Sequence, residues 1–67
     1  MEKYKTLSQM KIGELFINKK HNLCVFNGHY KDNYYFVSFL ASSFPFLKFK
    51  DNGQIYEMVK LGRNKSD

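Results

Sequence analysis

A chain of 67 residues with net charge +5 and one cysteine has room for a single small basic domain. The lone Cys24 excludes an intrachain disulfide scaffold. Seven Phe and five Tyr point to dense aromatic packing as the means by which so short a chain builds a core.

The N-terminus, Met1 to Thr6, has no apolar stretch of the signal-peptide kind, which predicts a cytoplasmic protein. Residues 1–5 read as a frayed tail. Thr6 is placed to cap a short helical turn that sets Leu7 and Met10 on one side. Gly13 then permits a tight bend into a first strand, Glu14 to Ile17, with Leu15 and Ile17 on one face and Phe16 on the other. Asn18 to Asn22 is a polar loop, and Leu23 begins a second strand.

Two turns compete after Phe26. Asn27-Gly28 is a hairpin signal, but a turn there would pair apolar Leu23–Phe26 with polar His29–Asp32. A turn at Lys31-Asp32-Asn33 pairs Cys24–Tyr30 with Tyr34–Leu40, matches apolar with apolar and makes Gly28 a bulge. The second is the expected arrangement.

Asn33 to Leu47 carries no charged side chain, while Lys31, Lys48 and Lys50 flank it. Serines and Pro45 interrupt the run, and it falls short of the roughly 20 apolar residues of a spanning helix, so no membrane role is expected. Tyr34 to Ala41 reads as a central strand with two apolar faces. Phe46 to Lys50 alternates, with Leu47 and Phe49 inward and Lys48 and Lys50 outward. Asp51-Asn52-Gly53 is a turn, Ile55 to Leu61 a final strand, and 62–67 a polar tail.

The predicted fold is mostly β: five short strands in a small, partly open barrel, opened by a short helical turn. In this the chain resembles the SH3-like barrels. Its Leu7…Lys11-Ile12-Gly13-Glu14-Leu15-Phe16 opening and its Phe49-Lys50-Asp51-Asn52-Gly53-Gln54-Ile55 hairpin also resemble a loose group of short phage and prophage proteins. The resemblance implies a fold and a genomic setting, with no catalytic motif attached.

Catalytic chemistry finds few residues to work with. The carboxylates are dispersed, and neither a phosphate loop nor a nucleophile elbow is present, so a non-enzyme without cofactors is expected. His21-x-x-Cys24-x4-His29, with Asp32 as the nearest fourth donor, has zinc-ligating atom types but not the paired spacing of a finger; a buried Cys24 is the simpler expectation.

Binding has more support. Lys19, Lys20 and His21 share one loop, His29, Tyr30, Lys31 and Tyr34 surround another, and Lys48 and Lys50 line one strand face. Phe44 and Phe46, astride Pro45, offer an aromatic anchor of the kind interfaces favour. The leading expectation is a protein-interaction module whose partner is a host protein, as the phage resemblance implies for a host-factor modulator. The alternative is a nucleic-acid-binding barrel that contacts phosphates through lysine and stacks bases on tyrosine. With Arg63 its single arginine, the chain is poorly equipped for base-specific readout. A homodimer through an open sheet edge would serve either class.

Overall fold

Six antiparallel strands form one open sheet in the computed structural model, which describes residues 3–42 and 46–60. In chain order they are β1 (Tyr4–Lys5), β2 (Leu15–Ile17), β3 (Leu23–Lys31), β4 (Tyr34–Phe39), β5 (Leu47–Lys50) and β6 (Tyr56–Val59). Across the sheet the order is β1-β6-β2-β3-β4-β5. The mostly β prediction holds, and two features of it need correction. The strands number six rather than five, because Tyr4 and Lys5, read as tail, pair with Glu57 and Tyr56. The expected partly open barrel is also not what the strands form: they make one open sheet, with β1 and β5 as opposite edges and no pairing between them. A two-residue β1 offers too short a ladder to seal a barrel. Just after β1, the Ser8 N–H donates to Asp51 Oδ2, just after β5, at 3.2 Å.

The helical turn is a single 3₁₀ turn, Leu7–Gln9. Gln9 folds its side chain back to accept from the Thr6 N–H at 2.9 Å, which satisfies a donor the short turn leaves over. Leu7 and Met10 are buried together, as their spacing predicts.

Side-chain alternation sorts the strands into two faces. Phe16 stands opposite Cys24 and Met58, and Phe26 opposite Val37. Phe16, Cys24, Phe26 and Val37, with Tyr56, Leu7 and Met10, form the inner core, against which Tyr35, Phe39, Phe49 and Met58 pack. Phe16 is 0% exposed and its ring lies 4.9 Å from that of Tyr56. Full burial of one such side chain contributes about 1.5–3 kcal/mol, so a handful of aromatics suffices for a core this small.

The β3–β4 hairpin turns at Asp32-Asn33, with Asp32 in the left-handed region at φ 50°. Gly28 is the expected bulge: the register shifts between Phe26 and Gly28, whose φ is +114°. A second shift between His29 and Lys31 leaves Tyr30 as an extra residue. The uncharged run supplies β4, but not the centre of the sheet. β2 and β3 hold the middle, and Leu40, just past the end of β4, is 49% exposed.

Candidate binding face

The outer face of the sheet carries an aliphatic patch where a sheet facing water usually carries polar residues, with Glu57 opposite Ile17 and Ser38 opposite Val25 as its polar neighbours. Leu15 stands opposite both Val25 and Val59, and Ile17 opposite Leu23. All five side chains are half-buried. Among the described residues, no helix or second sheet lies across them. Leu40, bonded through its N–H to the Leu23 carbonyl, extends the patch toward β4. The patch was half legible in the sequence, since the Leu15/Ile17 alternation marks one side of β2. Its continuation through Leu23, Val25 and Val59 depends on register.

At the turn end of β3 and β4 the same face becomes aromatic and cationic. Phe36 and Lys48 are cross-strand partners, as are Tyr34 and Lys50. The bulge places Tyr30 beside Phe36, ring centres 5.1 Å apart and edge to face, and Phe46 meets Phe36 from the other side at 5.8 Å. The Lys48 ammonium sits 4.5 Å from the Tyr30 ring centre and that of Lys31 5.6 Å from it. Six predicted contact residues thus gather here: Tyr30, Lys31, Tyr34, Phe46, Lys48 and Lys50. Phe36, the hub of the cluster, was missed because both faces of β4 read as apolar core. Its signal was the outward lysine opposite it, visible only once the β4–β5 register is known. Phe44 lies outside the described residues.

The remaining candidates lie elsewhere. Lys19, Lys20 and His21 occupy the loop at the other end of β3, roughly 26 Å from Lys31 at the usual strand rise. Asn18 organises that loop, its Oδ1 accepting from the N–H groups of Lys20 and Asn22 at 2.9 Å each. Lys19 and Lys20 border an open recess of about 460 Å³ that reaches Phe39, Phe49 and Tyr56. His29 turns to the inner side, its ring 5.0 Å from Tyr35 and its Nε2 2.9 Å from the Asp32 carbonyl.

His21, Cys24 and His29 do not converge. Cys24 and His29 are five residues apart along one strand, roughly 16 Å. The Cys24 thiol is fully buried in the core and rests against the Asn22 carbonyl at 3.5 Å. Burial pushes that thiol up from its ordinary pKa, away from the thiolate a metal or a nucleophilic reaction requires. The Tyr56 hydroxyl is pushed up by burial first and by the negative charge of Asp51 second. Glu14 moves the other way. The Lys11 N–H donates to its carboxylate at 2.8 Å and the Lys5 ammonium at 2.9 Å, and together they hold it below the usual carboxylate range. No helix among the described residues is long and apolar enough to cross a membrane.

Comparison with protein-family models, with curated proteins and with solved structures yields no match, so the likeness to SH3-like barrels and short phage proteins rests on the residues quoted above.

Proposed function

We propose that this chain is a small non-enzymatic protein-interaction module that docks through the outer face of its sheet. The observation that carries the reading is the in-register aliphatic patch of Leu15, Ile17, Leu23, Val25 and Val59, which shares a face with the lysine-edged Tyr30–Phe36–Phe46 cluster and is divided from it by the hydrogen-bonded Asn27 and Ser38 side chains. Apolar patches with aromatic anchors and a charged rim are the usual anatomy of a protein interface. A modulator of a host factor is the form this takes under the phage resemblance.

The test compares capture from nuclease-treated cell extract by the wild-type protein and by a Leu23→Thr/Val25→Thr variant. Threonine keeps strand propensity while removing apolar surface. Proteins held by the wild type and lost by the variant support the reading; equal capture by both overturns it.

A nucleic-acid reading draws on one observation of its own, the recess in which Lys19 and Lys20 border Phe39, Phe49 and Tyr56. Lysine there would meet phosphate beside the partly buried edges of Phe39 and Phe49, while Tyr56 belongs to the core. The outer face favours it less, because the Lys31 and Lys48 ammonium groups already occupy the surroundings of the Tyr30 ring.

A further inference from the structure

Strand β5 is an edge whose outward backbone groups belong to its two lysines. The Asp51 N–H donates to the Asn33 carbonyl at 2.7 Å, and the register sets Lys50 opposite Tyr34. Asp51 and Asn33 are therefore a directly opposed, hydrogen-bonded pair. In an antiparallel ladder such pairs alternate, which makes Phe49–Tyr35 and Leu47–Val37 the next two. Lys48 and Lys50 then turn their N–H and C=O groups away from β4, and among the described residues nothing accepts from or donates to them. Their side chains lie on the outer face, with the Lys31 ammonium near the same Tyr30 ring that Lys48 approaches. The opposite edge, β1, has only two residues and makes a poor template.

We propose that β5 takes an extended segment of a partner protein as a seventh strand, and that this segment carries carboxylates at alternate positions on the outer face. Backbone pairing supplies the attachment, and the lysines select the charge. A second copy of this chain is the wrong occupant, because β5 against β5 sets lysine against lysine, the arrangement that natural edge strands use to prevent self-pairing. The proposal rests on the protein-interaction reading but engages the edge, not the aliphatic patch, so the two can fail separately.

The probe is a capped hexapeptide of alternating Glu and Val, added to the full chain while amide hydrogen exchange is followed residue by residue. Slowing of exchange by about tenfold or more at the Lys48 and Lys50 amides is expected, in line with one or two new backbone hydrogen bonds. A peptide with Lys in place of Glu should give no slowing, nor should one N-methylated at the residues that face the edge. The Lys48→Glu/Lys50→Glu variant should lose the acidic peptide and respond to the lysine peptide. Equal binding of the N-methylated peptide would reduce the effect to charge and overturn strand addition. So would protection that rises with protein concentration in the absence of peptide, which marks self-pairing. Perturbation confined to Val25 and Phe36, or no response at all, would eliminate the edge site; the capture experiment with the Leu23→Thr/Val25→Thr variant then still decides the outer-face reading.

Discussion

Lys48 lies on β5 and Tyr30 on β3, two strands that are not neighbours, yet the lysine ammonium stands 4.5 Å from the centre of the tyrosine ring. The contact passes over β4, where Phe36 packs its ring edge to face with Tyr30. Exposed cation–aromatic pairs contribute about 0.5–1 kcal/mol. A double-mutant cycle of Lys48→Met with Tyr30→Leu, followed by urea unfolding, should return a coupling of about 0.5 kcal/mol. A coupling indistinguishable from zero would mean that the ring and the ammonium do not engage in solution.

The two sheet faces can be told apart with one substitution made twice. Val37 is 0% exposed on the inner face, whereas Val25 is half-buried on the outer one. Val37→Thr buries a hydroxyl with no assigned partner and should cost about 1–3 kcal/mol. Val25→Thr leaves its hydroxyl within reach of water and should cost less than about 1 kcal/mol. Equal losses in urea unfolding would show that the outer face is packed.

Gly28 should resist replacement for backbone reasons first. At φ +114° an alanine is strained whatever surrounds it, and its Cβ would also stand 3.4 Å from Ile12 Cδ1. Gly28→Ala is expected to lower stability by about 1–3 kcal/mol. Adding Ile12→Ala should recover little of that; full recovery would assign the cost to the side-chain contact instead.

Glu14 gives the fold a pH-dependent contribution of known sign. Its folded pKa is depressed, first by the Lys11 N–H and next by Lys5. The stabilisation is therefore complete above the ordinary carboxylate range and is lost as pH falls through the lower folded value. The pair is partly exposed, so Glu14→Gln should cost no more than about 1 kcal/mol at neutral pH. Chemical denaturation of both proteins should converge at acid pH. A difference that persists there would tie the effect to shape and not to charge.

Polyanion binding across a salt series tests the nucleic-acid alternative. Phosphate-driven association should weaken steeply with added salt and weaken further in a Lys19→Glu/Lys20→Glu variant. Salt-insensitive binding would remove that reading.

Much of the fold was legible because two patterns agree with tertiary structure. The Lys48/Lys50 alternation and the apolar match that favoured a turn at Asp32-Asn33 over Asn27-Gly28 both survive in the register. Tyr4-Lys5 was not legible as a strand: two residues have no period, and their strand partners, Tyr56 and Glu57, lie far along the chain. That the sheet stays open was equally hidden, since no local pattern records whether two edges pair. In the candidate site, the lysines and Tyr30 were visible by composition, but Phe36 was assigned to the core because a β strand with two apolar faces gives no hint of which one is wet. The bulge at Tyr30, which brings that ring to Phe36, is a property of hairpin pairing and leaves no signature in a single strand.

The strand order has a kinetic consequence. β6 lies between β1 and β2, so the first strand of the chain has no partner until the last one is in place. The N-terminal strand must wait while the β2–β3–β4–β5 meander forms from short-range hairpins. The step that completes the domain is then the long-range insertion of β6, which joins Tyr56 to Phe16 and Glu57 to Tyr4 at once. Loop closure over most of the chain precedes any gain from those contacts, which places folding among the slower, non-local β topologies rather than the microsecond folders. Destabilising changes in β1 should accordingly speed unfolding and leave the refolding rate almost unchanged.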